Sequence, residues 1–437
     1  MAATKVLIVG GGYVGLYSAL ALKKRAREAE ITLVSPESNM TYQPFLPEAA
    51  SGNIEPRHVV IPLRTVLKGV RLVTGRVTAI DHTTRRARVE PIEGAGYDVD
   101  YTQVILGAGS ISRVLPVPGL PENAVGFKTV GEAIYLRNHV LSCMDAAEST
   151  NDPAVKKRAL AFTFVGGGYA GVEALAELED LARDACRYYS SVTRDDMRWV
   201  LVEAAGGILP EIGEGLGEYA LERLRKRSIE TYLNTRLEGA TGGVMTLSNG
   251  ETFESDTLVW TTGVKAHPLM GAFGFSTDKQ GRIEVDECMR VKGAADAWAA
   301  GDCAAVPDLT TGGVCPPTAQ HALRQARRLG KNVAAVINGG EPKPFKYKNR
   351  GGLVSLGRYK GVASVMGLRL RGFPAWFLHR TYHVIMVPTI NRRARILVDW
   401  TVALFFRRDV VQLGSLTQPR EAFIEATSSL VDVRKET

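Results

Sequence analysis

Residues 162–178 read FTFVGGGYAGVEALAEL, and the fold follows from this stretch. An apolar run (Phe162, Phe164, Val165) meets three glycines and then an Ala/Leu/Glu-rich segment. The run suits a strand and the segment a helix. Gly166, Gly168 and Gly171 have the spacing of a dinucleotide-binding turn. The first glycine permits the tight turn, the second lets pyrophosphate approach the backbone, and the third lets helix and strand pack closely. The free N–H groups and positive dipole at the helix start favour phosphate. Further on, the strand 199–202 ends in Glu203, placed to accept hydrogen bonds from a ribose diol.

Residues 5–22, KVLIVGGGYVGLYSALAL, repeat the pattern with Gly10, Gly12 and Gly15. Two such units define an α/β fold class: two Rossmann-like dinucleotide-binding domains with a C-terminal α+β region. They call for two dinucleotides, most simply a flavin and a nicotinamide. The strand after the first copy, 31–34, ends in Ser35 where an acidic residue is usual; its hydroxyl can still bond a ribose, and Glu37 is close by.

The rest of the chain fits around these units. Residues 42–52, YQPFLPEAASG, read as a Pro-broken loop where a flavin ring would reach. Strands are expected over 71–80, 85–90 and 101–106, the last running into Gly107-Ala108-Gly109, where Gly109 lets backbone approach a ligand. Pro116, Pro118 and Pro121 mark a linker, and 130–144 reads as a helix. Residues 216–227 form an amphipathic helix. Ser248-Asn249-Gly250 signals a hairpin, and 257–262 reads as a buried strand ending at Gly263. The strand opening 298–305, WAAGDCAA, ends in Gly301-Asp302. Asp302 suits flavin ribityl or phosphate groups, or simply a turn. A helix begins after Pro316-Pro317-Thr318, with Gln320 and His321 in its first turn.

The totals narrow the class. The chain has 437 residues, 45% of them apolar and 23% charged, enough for two or three folded domains. Net charge is +8, but residues 343–420 alone carry fifteen Lys/Arg against two Asp/Glu, or +13, leaving −5 elsewhere. Five scattered cysteines without a CxxC pair argue against zinc and against a vicinal redox disulfide. The first strand begins at Lys5, leaving no room for a signal peptide, and no run is apolar enough to span a bilayer. Two helices are expected over 374–387 and 392–413, split by Pro388, with Trp376, Phe377, Tyr382, Trp400, Phe405 and Phe406 among Arg380, Arg392, Arg393, Arg395, Arg407 and Arg408. Aromatics and Arg on apolar helices suit an anionic lipid surface; a core-packed or dimer-packed pair is the alternative. Nucleic acid is not expected, because the aromatics sit in apolar runs. Residues after about Gln418 read as a polar tail.

In order along the chain stand two GxGxxG units, the tripeptide GVE, VWTTGV (259–264), AAGDCA (299–304), PPTAQHALRQA (316–326) and a Trp-containing helical tail. This set resembles the type II NADH:quinone oxidoreductases, single-subunit, non-pumping membrane flavoenzymes, over roughly residues 4–416. The resemblance implies an FAD domain at 1–115 and 298–342, an NADH domain at 116–297, and a membrane-anchoring, quinone-access region at 343–437. It implies FAD and NAD (as NADH) as cofactors and a menaquinone or ubiquinone as acceptor. It further implies peripheral attachment to the cytoplasmic face of the cell membrane, with a homodimer as one form. Glu173, in GVE, matches the family glutamate near flavin, nicotinamide and quinone. Gln320 matches the glutamine of the AQxAxQ quinone motif, whose second glutamine is here Arg324, with Gln325 beside it. Where the family often has a Lys between the tail helices, this chain has Asn391-Arg392. A sulfide:quinone oxidoreductase or another NAD(P)H:acceptor flavoprotein shares the layout, and a redox-sensing scaffold holding FAD and NADH is a third reading.

Overall fold

The computed structural model describes residues 4–348 and 351–412. The expected polar tail lies outside them. Two sheets, one mixed and one all-parallel, carry the two glycine turns. The first, seven-stranded, runs Ala297–Ala299, Gln103–Leu106, Lys5–Val9, Glu30–Ser35, Arg71–Asp81, Arg86–Pro91 and Tyr97–Asp100. Its first five strands pair in parallel and the last two return antiparallel. The second sheet orders Ala124–Val125, Thr257–Trp260, Ala161–Val165, Arg198–Val202 and Ile229–Tyr232, all parallel. Ala161–Val165 is buried along its whole length, and Phe162 stacks on Trp199 at 4.3 Å. Continuous burial explains why the strand is apolar but for Thr163, whose hydroxyl donates to Ser255 Oγ at 3.1 Å.

Helix Tyr13–Arg25 follows the first turn and lies against helix Ala319–Ile337. Gly330 makes this approach close, since a Cβ there would stand 2.7 Å from Ser18 O and from Ala21 Cβ. Helix Tyr169–Ala185 follows the second turn. The C-terminal region is an antiparallel sheet, Gly351–Ser355, Gly361–Val365 and Leu368–Arg371, followed by helices Phe373–Met386 and Ile390–Phe405.

Several boundaries differ from the sequence reading. Residues 42–52 are not a loop: Gln43–Phe45 is a 3-10 turn and Leu46–Ala50 a buried helix. The prolines sit in first turns, where a missing N–H costs nothing. Strand Tyr97–Asp100 and helix Pro153–Ala159 were not foreseen. The helix starting at Val130 runs on to Ser149, opened by a capping box of Thr129 and Glu132. The buried strand at Thr257 stops at Trp260. The second tail helix starts at Ile390, where the Thr389 side chain accepts from Arg392 N, and ends at Phe405.

Candidate active site

The two glycine turns share one geometry. Gly10 and Gly166 have φ of +102° and +115°, which any side chain would strain. A Cβ on Gly10 would strike Gly107 O, and one on Gly166 would lie 2.5 Å from Thr261 O. Cβ atoms on Gly15 and Gly171 would strike the carbonyls of Gly10 and Gly166. The middle glycines differ: Gly12 and Gly168 have nothing within 4 Å of a Cβ position. Both are helix N-caps without a side-chain cap bond, and neither helix has an acid in its first turn. The first N–H groups thus face open space beside a backbone that can be approached, as a pyrophosphate requires. The residues fit two dinucleotides.

Glu203 closes the second turn. Its Oε2 accepts from Gly167 N at 2.5 Å and its Oε1 from Ala205 N at 2.7 Å. Ser35 stands at the equivalent place, buried under Gly11, whose Cβ would lie 2.6 Å from Ser35 Oγ. Asp302 leaves the strand Ala297–Ala299 and meets the first unit's loops: Ser110 Oγ donates to its Oδ2 at 2.6 Å, and Lys128 Nζ donates to Ser110 Oγ at 2.9 Å. Gly109 and Gly263 have φ of +70° and +100° with open space at the Cβ position. They flank the antiparallel pair Ser110–Ser112 and Val264–Ala266, which joins the two units.

Glu173 opens the second turn of its helix rather than sitting in the first, and it is buried. Ser355 N donates to its Oε1 at 2.8 Å, and His379 Nε2 lies 3.3 Å from the same oxygen. Gln320 is tied to the other end of the same strand. Its Nε2 donates to Gly351 O at 3.1 Å and its Oε1 accepts from Tyr347 Oη at 2.8 Å. Strand Gly351–Ser355 therefore links the two residues, one near each end. Arg324 stacks on Tyr347 at 4.4 Å and donates to Gln320 O at 3.0 Å. Gln325, beside it, accepts from Gly301 N at 2.8 Å and so steadies the Asp302 loop.

Sequence reading missed a ladder of carboxylates on helix Tyr169–Ala185, buried except for the partly exposed Asp184. Below Glu173, Glu177 accepts from Ser51, Asn53 and Ser355 side chains at 2.8–3.0 Å. Asp180 accepts from Arg358 N at 2.5 Å and lies 3.6 Å from Lys360 Nζ. Asp184 lies 3.8 Å from Arg408 Nε. Each rung meets a group from the C-terminal region. Sequence reading also missed His379 and His383, whose spacing of four on one helix was the available signal. All five cysteines are free. Burial pushes Cys143, Cys303 and Cys315 up to about 11, so none is a ready thiolate. Among the described residues no cluster could hold a metal ion.

These features define a pyridine nucleotide-linked oxidoreductase with two dinucleotide units. The family model described as pyridine nucleotide-disulphide oxidoreductase matches residues 4–326. The chain is 30% identical over 420 residues to the type II NADH:quinone oxidoreductase NdhA of Mycobacterium tuberculosis, covering 92% of this chain and 87% of that one. It is 32% identical over 383 residues to the type II NADH:quinone oxidoreductase of Staphylococcus epidermidis, covering 86% and 93%. In structure it is similar to NDH2 from Plasmodium falciparum in complex with NADH, with a TM-score of 0.86, 18% identity, and 93% and 99% of the two chains covered. The chain belongs to the type II NADH:quinone oxidoreductases.

Proposed function

We propose that this chain takes a hydride from NADH and delivers two electrons to a membrane quinone, through FAD and without pumping protons. The observation that carries the reading is Glu173. It lies on the helix of the second glycine turn and is held by two groups of the C-terminal region, so the nicotinamide unit and the tail meet at one carboxylate. FAD, when bound, supplies the two-electron exchange between donor and acceptor. Gly10, Gly12, Gly15, Ser35, Gly109 and Asp302 hold it within 1–115 and 298–342. Gly166, Gly168, Gly171, Glu203 and Gly263 hold NADH within 116–297. Glu173 orients the reacting groups and passes a proton onward, and Gln320 borders the acceptor.

Residues 343–437 bring the site to lipid. Helix Ile390–Phe405 turns Ile396, Asp399 and Trp400 inward: Asp399 lies 2.6 Å from His58 Nδ1 and Trp400 Nε1 donates to Glu48. Its other face leaves Ile390 (81% exposed), Leu397, Val398, Val402 and Phe405 (79%) open. An apolar face edged by arginines suits an anionic bilayer. Among the described residues no helix is long and apolar enough to cross a membrane. We place the chain peripherally, on the cytoplasmic face, as a monomer or homodimer. Anaerobic stopped-flow tests the reading: NADH should bleach bound flavin, and a menaquinone or ubiquinone analogue should restore it. Failure of either half sinks it.

A further inference from the structure

A line of side chains leads away from Glu173, and none belongs to a dinucleotide turn. His379 Nε2 lies 3.3 Å from Glu173 Oε1. His379 is 2% exposed, and its Nδ1 is buried without a hydrogen-bond partner. The His379 and His383 ring centroids are 4.5 Å apart at 64°. His383 Nδ1 lies 3.1 Å from Tyr42 Oη. Burial pushes the His383 imidazole well below its ordinary range, yet the residue keeps accessible surface.

A buried nitrogen left without a partner is costly. With Nε2–H donating to Glu173, the Nδ1 of His379 is left as an acceptor on a ring that packs against His383. We propose that His383 and His379 relay to Glu173 the proton that quinone reduction draws from water. This inference rests on the NADH:quinone reading. NADH, one proton and quinone give NAD+ and quinol. The nicotinamide C–H bond breaks, and its hydride accounts for two electrons and one proton. The second quinol O–H takes a proton from the medium. An imidazole accepts on one nitrogen and releases from the other, so the step leaves no charge behind. Between the rings the proton passes through a water or a ring turn.

Other polar and charged groups surround the relay. Tyr13 and Tyr17 on the first helix, Tyr382 on the same helix and Arg393 on the next bear on Tyr42. Phe45 and Tyr382 meet the His383 ring edge-on, 5.8 and 5.2 Å away. The nearby carboxylate of Glu48 is already held by Arg380 and Trp400.

The test uses the holoenzyme and two acceptors. Ferricyanide takes electrons and binds no proton; a short-chain ubiquinone takes both. His383→Phe keeps a ring against Tyr42 and Phe45 but carries no proton. It should slow ubiquinone reduction at least tenfold and raise its solvent deuterium isotope effect, with ferricyanide reduction and NADH bleaching retained. His379→Gln should do the same. With 15N-labelled histidine, Tyr42→Phe should shift the His383 and His379 ring nitrogens of the resting holoenzyme, a readout independent of turnover. Unchanged ubiquinone reduction in His383→Phe overturns the relay, as does equal loss with both acceptors. If the unaltered protein bleaches with NADH but never passes electrons to quinone, the functional reading fails first and the relay with it.

Discussion

Arg380 and Glu48 form a buried ion pair between the first tail helix and the Leu46–Ala50 helix, with Nη2 2.7 Å from Oε2. Glu48 is 1% exposed. The Arg380 guanidinium lies 4.3 Å from the Trp376 ring and 4.5 Å from the Trp400 ring, and Trp400 Nε1 donates to the same Oε2 at 2.9 Å. Removing the carboxylate leaves a buried cation with rings but no anion.

Glu48→Ala should therefore cost about 3–5 kcal/mol, as breaking a buried pair does. Glu48→Gln keeps an acceptor and should cost less. Urea unfolding checks both. A loss of under ~1 kcal/mol in Glu48→Ala would mean that water reaches Arg380.

Glu203 should make NADH the preferred donor. Fixed by two backbone N–H groups, its carboxylate can accept from a 2′-hydroxyl but repels a 2′-phosphate. Glu203→Ala should raise the KM for NADH roughly tenfold or more, the worth of a hydrogen bond to a charged group. A kcat/KM ratio favouring NADPH in the unaltered protein would remove Glu203 from this role.

Glu173→Gln keeps the shape and the acceptor for Ser355 N while removing the charge. Flavin content should hold and quinone turnover should fall about a hundredfold, the low end of a positioned proton donor's effect. Gln320→Ala should weaken quinone turnover with bleaching intact. Equal slowing of bleaching would assign either residue to the flavin site or the fold.

Acid should destabilise the fold. Burial holds His139, His267, His321 and His383 below the ordinary 6.5. The unfolded chain then binds more protons than the folded one below that pH, so stability is lost as pH falls through 6.5. Tm should be lower at about pH 5.5 than at pH 8. The slope should flatten in His383→Phe, and an unchanged slope would assign the loss elsewhere.

Binding to anionic vesicles should weaken but persist at high salt. Arginines contribute on the order of 1 kcal/mol each near an anionic surface, and that share is screened. Apolar burial contributes about 25 cal/mol per Å² and is not. Leu397→Glu with Phe405→Glu should abolish binding in a flotation assay while NADH bleaching survives. Persistent binding would move the lipid contact to another face.

The glycine turns were legible because each demands glycine at a fixed spacing, and backbone crowds the first and third glycine of each turn. Glu203 was legible because it ends a strand. The carboxylate ladder was not, because the partners of its Glu and Asp residues come from distant sequence. Residues 42–52 misled because Pro44 and Pro47 resemble loop breakers when they stand in first turns. For Gln320 the sequence showed a polar helix start, but not that both ends of its amide already have protein partners.

The ladder on helix Tyr169–Ala185 also decides how the protein can be handled. A shortened chain ending before residue 351 would leave buried Glu173 without Ser355 and His379, and would take at least one partner each from Glu177, Asp180 and Asp184. Such a piece should reach the cell as a protease substrate, not as a smaller enzyme. A detergent-free preparation is better sought by recolouring the outer face of the last helix, one position at a time, with its inner face left untouched.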